Sequence, residues 1–183
     1  MEIHMRHRSR TGFTLIEMLV VIAIIAIIAG IVFPAVTRGL RTAKRNVAAS
    51  EAKSIAGAIR MFYDDYGWLP VPAANQGGSE DGLVSDSKEV IQVLLGDNET
   101  VNPKGKLYLD TDVATSDGTM LDPWGTQYSV LLDLNFDGRL TYRGSEFTQR
   151  AIVISSGRDL TLVPVTDTTT DGDDMTSVLI DDD

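Results

Sequence analysis

Cysteine is absent from the 183 residues. Its absence excludes a disulfide framework, a thiolate metal site and a cysteine nucleophile. Histidine is almost absent: His4 and His7 are the only two, and both lie ahead of residue 12. Basic residues are in deficit, 16 Lys and Arg against 26 Asp and Glu, for a net charge of −10. Nucleic-acid binding relies on cations that neutralise phosphates, so no nucleic-acid partner is expected. Ser155-Ser156-Gly157 lacks a nucleophile-elbow pattern and a base partner. None of the many carboxylates sits in an apolar context that would tune it for acid or base work. No enzymatic activity is expected. Internal repeats are also lacking, and only the stretch TDTTTDGDD is of low complexity.

What the chain does have is a long apolar run. From Met18 to Val36 there is no charge. A stretch of 18 or more apolar residues is a membrane-span candidate. A cleaved secretory signal is the poorer reading, because the run is too long and no small-residue cleavage pattern follows it. Arg6, Arg8 and Arg10 precede the run, while Arg38, Arg41, Lys44 and Arg45 follow it. The Lys/Arg bias is therefore nearly balanced, and the leader is placed in the cytoplasm only because it is the simpler side to leave behind.

The helical pattern continues past the span. Val36, Leu40, Ala43, Val47, Ala52, Ile55, Ile59, Phe62 and Tyr66 recur at mostly three- and four-residue steps, which predicts an apolar stripe on one helix from Phe13 to Tyr66. Gly30 and Pro34 interrupt it, and Pro34 is expected to kink or locally melt the helix. Such a helix needs two environments, lipid or other apolar helices first and its own globular domain afterwards.

Beyond Tyr66, Gly67, Pro70, Pro72, Gly77, Gly78 and Gly82 mark a surface connection. Asp86 with Glu89 three residues later reads as a capping box opening a short helix through Val90, Val93, Leu94 and Leu95. Strand patterns follow at Gln127 to Leu134, Arg139 to Arg143 and Ala151 to Ser155. The fold expected is α+β, with the long N-terminal helix packed on a small antiparallel sheet. DLNFDG, with Asp133, Asn135, Asp137 and Gly138, begins like a calcium loop. The twelfth position of such a loop is Gly144, however, and Glu146 comes two residues late. Asp137-Gly138 is also a strong hairpin-turn signal, so a hairpin between the flanking strands is the first reading and calcium the second.

Gly12-Phe13-Thr14-Leu15-Ile16-Glu17 and the apolar run behind it resemble the N-terminal signature of type IV pilins and type II secretion pseudopilins. The resemblance implies cleavage between Gly12 and Phe13 by a prepilin peptidase, and N-methylation of Phe13. It puts Pro34 where the family often has its helix-breaking proline. Glu17 is then either an interfacial carboxylate, tolerated near the membrane surface, or the partner of a neighbouring subunit's new α-amine in a helical bundle, where the pair sets register. The family favours the second.

A second resemblance lies further on. LDPWGTQYSV (Leu121 to Val130), VISSGRD (Val153 to Asp159) and DGDDMTSV (Asp171 to Val178) are similar to segments of the major pseudopilins of type II secretion. Leu160 stands where that family usually has glycine, and Val178 where it has an aromatic. Asp122-Pro123-Trp124-Gly125 reads as a structural turn in which Trp124 plugs the sheet onto the helix. The acidic segment from Asp159 to Ser177 is either a solvated loop that keeps a fibre soluble or a calcium site; the family implies the second, an ion held by Asp159, Asp171, Asp173, Asp174 and Ser177. All five are oxygen donors, as a hard cation requires.

Together these readings predict a leader at 1–12, a membrane and polymerisation helix at 13–36, and a periplasmic pilin-like domain at 37–183. That domain divides into an amphipathic helix (37–66), a loop and short helix (67–121), and a sheet with an acidic tail (122–183). The expected protein is a structural subunit of a pilin-like filament, the major pseudopilin of a type II secretion system, single-pass in the inner membrane. Its expected partners are copies of itself, the prepilin peptidase, the inner-membrane platform and the minor pseudopilins. The alternatives are a surface type IV pilus subunit and a membrane-anchored binding protein that does not polymerise.

Overall fold

The computed structural model describes residues 13–84, 86–110, 114–115, 118–160, 162 and 175–176. The chain divides into two compact units, Met1–Thr42 and Ala43–Asp183. One helix, α1 (Leu15–Tyr66), supplies all the described structure of the first unit and opens the second.

In the first unit every described residue from Phe13 to Val36 is exposed. No described residue of the unit covers Ile22, Ile25, Ile28 or Phe33. This part of α1 is long and apolar enough to cross a membrane. Pro34 lies inside the helix, which runs through it without interruption. The expected local melting does not occur. Proline removes one main-chain donor, and the helical bonds on either side carry the chain past it. The Thr37 hydroxyl donates to the Pro34 carbonyl at 2.9 Å.

In the second unit α1 buries Ala48, Ala52, Ile55, Ala58, Ile59 and Phe62, a stripe at three- and four-residue steps. The stripe differs from the expected one at its start. Ala48 is buried while Val36, Leu40 and Val47 are exposed. Apolar periodicity alone could not separate the part of the helix that faces its own domain from the part that does not.

The sheet that receives this stripe has the order β1-β2-β5-β6, all antiparallel: β1 (Gly82–Val84), β2 (Ser129–Leu132), β5 (Ala151–Ser155) and β6 (Met175–Thr176). Val130, Leu132, Ala151 and Val153 join the α1 cluster, together with Val90, Ile91, Val93 and Leu94 of α2 (Lys88–Leu94). Leu131, Ile152 and Ile154 point to the opposite face. That alternation is the two-residue period of a strand. The opposite face is covered too, by Leu140 and Tyr142 of a separate hairpin, β3 (Leu140–Tyr142) with β4 (Ser145–Phe147). The central strands β2 and β5 are therefore buried on both sides.

This corrects the expected hairpin at Asn135-Phe136-Asp137-Gly138. β2 pairs with β1 and β5, and β3 pairs only with β4 among the described strands. The DLNFDG stretch carries the chain from one sheet to the other. The tight turn is instead at Arg143 and Gly144, both with positive φ (51° and 75°), between the paired residues Tyr142 and Ser145. Two positive-φ residues make the turn that matches strand twist.

The second helix begins one residue later than the expected box. Ser87 is its N-cap and makes no side-chain capping bond. Asp86 Oδ1 accepts from the Lys88 N–H at 3.0 Å.

Candidate functional site

The start of α1 is built by four consecutive residues. The Thr14 hydroxyl oxygen accepts from the Glu17 N–H at 3.3 Å, while Glu17 Oε2 accepts from the Thr14 N–H at 2.9 Å and from its hydroxyl at 2.7 Å. This is a reciprocal capping box, in which two otherwise unpaired donors at the helix start are satisfied. The Thr-x-x-Glu spacing was there to be read, but the apolar setting drew attention to the charge alone. Phe13, immediately before the cap, is 75% exposed. Gly12 lies outside the described residues.

The Asp122-Pro123-Trp124-Gly125 turn is structural, as expected. Asp122 is buried, and its Oδ1 accepts from the N–H groups of Trp124 (3.0 Å) and Thr126 (2.9 Å). Its Oδ2 accepts from the Ser155 hydroxyl at 2.5 Å, which ties the turn to β5. Gly125 takes φ 91°, open to glycine and strained for other residues. Trp124 is not the core plug. It is half-buried, with the Lys44 ammonium 6.0 Å from its ring, and the buried aromatic of this segment is Tyr128. The Tyr128 hydroxyl donates to Glu51 at 2.5 Å, and burial raises its pKa first, with the Glu51 carboxylate adding to the effect.

The acidic residues divide into two groups. Of the C-terminal set, Asp159 is exposed in the turn after β5, while Asp171, Asp173, Asp174 and Ser177 lie outside the described residues. Met175 and Thr176, which stand between them in the chain, pair with Ser155 and Ile154. The second group was not foreseen as a unit. Asp81, Asp133 and Asp137 each bring a carboxylate oxygen to within 4.8 Å of the others. Burial, followed by the charges of Asp133 and Asp137, raises the Asp81 carboxyl above its ordinary value. Asp133 and Asp137 were singled out by their spacing, but no local pattern pointed to Asp81.

An exposed apolar helix long enough to cross a membrane, with a capped carboxylate at its start and a small α+β domain after it, is a pilin-like arrangement. Residues 7–33 match the prokaryotic N-terminal methylation motif. The chain is 32% identical over 132 residues to the type II secretion system core protein G of Pseudomonas aeruginosa, covering 69% of this chain and 77% of that one. It is 31% identical over 129 residues to the protein of the same name from Pectobacterium carotovorum, covering 68% of each. A fimbrial protein, EcpC of Eikenella corrodens, is 37% identical over 73 residues, or 40% of this chain and 48% of that one. No solved structure gives a significant match. The chain belongs to the type II secretion system core protein G family.

Proposed function

We propose that this chain is the structural subunit of the filament of a type II secretion system, held in the inner membrane before assembly with its second unit in the periplasm. The observation that carries the reading is the uncovered apolar helix from Phe13 to Val36, opened by the Thr14–Glu17 cap, in a member of this family. So much apolar surface requires lipid or the matching helices of other copies. A prepilin peptidase would cut between Gly12 and Phe13 and methylate Phe13. The new amine would then lie beside the apolar start of the helix, where Glu17 of a neighbouring copy offers the opposite charge. The inner-membrane platform and minor pseudopilins would be the other partners. The family resemblance also supports a calcium ion at Asp159, Asp171, Asp173, Asp174 and Ser177.

The test is electron microscopy of fibres sheared from cells that overproduce the protein, with intact-mass analysis of the subunit. The expected result is fibres whose subunit starts at Phe13 and is one methyl heavier. Monomers in the membrane and no fibre would favour an anchored binding protein. The fimbrial relative favours a surface pilus as the second reading. Deletion separates the two: loss of exported folded proteins supports secretion, and loss of surface fibres with export intact supports the pilus.

A further inference from the structure

We propose that Asp81, Asp133 and Asp137 form a binding site for a divalent cation of the calcium type, separate from the C-terminal acidic segment. Two independent observations point there. The first is the convergence of three carboxylates within 4.8 Å. The second is an unsatisfied, fully buried oxygen among them. Asp133 has no exposed surface, its Oδ2 accepts from the Gly138 N–H at 3.0 Å and from the Arg150 guanidinium, and its Oδ1 has no partner among the described residues. Asp81 Oδ1 is likewise out of solvent and without a partner. Buried carboxylate oxygens left unpaired are costly, so each calls for an occupant.

The fold holds these groups in place from three directions. Gly82 pairs with Leu132, so Asp81 and Asp133 come one step further along the same antiparallel register. A β-carbon on Gly82 would meet Leu134 Cδ1 at 2.3 Å, so the Leu134 side chain packs directly against the glycine beside Asp81. Asp137 is positioned by the loop itself, its N–H donating to Asn135 Oδ1 at 2.9 Å and its Oδ1 accepting from the Arg139 N–H at 2.8 Å. From the α1 side, the Tyr63 ring lies 4.7 Å from the Arg150 guanidinium and 6.4 Å from the Phe136 ring.

Charge selects the class of ligand. Arg150 compensates one of the three carboxylates, and a divalent ion would compensate the other two. All the donors are oxygen, which suits a hard cation, and an ion of the calcium type would complete its shell of six to eight oxygens with water and loop carbonyls. The competing solution is a proton held by Asp81, which would leave the site indifferent to metal.

The experiment uses the full chain in detergent at pH 7.5, treated with chelator, at constant ionic strength. Asp173→Ala and Asp174→Ala are introduced so that the C-terminal acids do not contribute. Added calcium chloride should raise the melting temperature by about 4 °C or more at saturation. Asp81→Asn and Asp137→Asn should each weaken calcium binding at least tenfold, yet melt no lower than the parent without calcium, because each removes a like charge. The same two substitutions in the otherwise unaltered chain should remove one bound calcium per chain in equilibrium dialysis, a readout that survives if the C-terminal changes impair folding. No calcium response, an equal response to magnesium, or an undiminished response in both asparagine variants would overturn the site.

Discussion

Thr14 and Glu17 hydrogen-bond each other in both directions across one helical turn. The carboxylate at the start of the apolar helix therefore has a partner in its own chain before any neighbour arrives. This gives Glu17 two separable jobs, capping the helix and presenting a charge. Glu17→Gln keeps a capping side chain and loses the charge, whereas Glu17→Leu loses both. Both variants should still insert in the membrane, since neither adds charge to the span. If the charge sets register between subunits, fibres should be lost in both. Normal fibres from Glu17→Gln cells, counted by electron microscopy, would reduce Glu17 to a helix cap.

Asp122 and Ser155 should behave as a coupled pair. Asp122→Ala leaves the Ser155 hydroxyl and the N–H groups of Trp124 and Thr126 without their acceptor, at a cost of about 3 kcal/mol. Ser155→Ala removes the donor to Asp122 Oδ2 and the acceptor of the Gly157 N–H, and should cost about 2 kcal/mol. Denaturant unfolding of both single variants and the double variant should give less than the sum of the two, because the hydroxyl–carboxylate bond is shared.

Leu160 has φ 58° and is largely exposed. Left-handed backbone is strained for leucine and free for glycine, the residue the pseudopilin family usually has here. Leu160→Gly should stabilise the protein by about 0.5–1 kcal/mol, while Leu160→Ala should not, because alanine keeps the β-carbon. Equal unfolding midpoints for wild type and Leu160→Gly would contradict this.

Asp65 carries a pH dependence. Hydrogen bonds from Lys106 and then Tyr108 hold its carboxyl below the ordinary value of 3.8. The unfolded chain therefore takes up the proton first as acid is added. The Asp65 contribution is complete above the unfolded value and is lost as pH falls from there through the lower folded value. Between pH 5 and pH 3, the melting temperature of the wild type should fall more steeply than that of Asp65→Asn. Parallel curves would mean that the exposed contacts to Lys106 and Tyr108 contribute nothing in water.

Features that depend on near neighbours in the chain could be read from the residues alone. The long helix to Tyr66, the strand Ala151–Ser155, the short helix after Ser87 and the N-terminal motif were all legible, because three- and four-residue periodicity, a short unbroken apolar run and capping chemistry act over a few residues. Strand pairing, by contrast, joins residues far apart in the chain and was visible only in the folded molecule. Asp137-Gly138 is an equally good turn whether it closes a hairpin or leads from one sheet to another, while Arg143-Gly144 is a weaker signal that in fact makes the hairpin. β1 is three residues long and became a strand only by pairing with β2. The Asp81–Asp133–Asp137 cluster depends on that pairing. Local spacing named two of its members, and the third reaches them through the register that pairs Gly82 with Leu132.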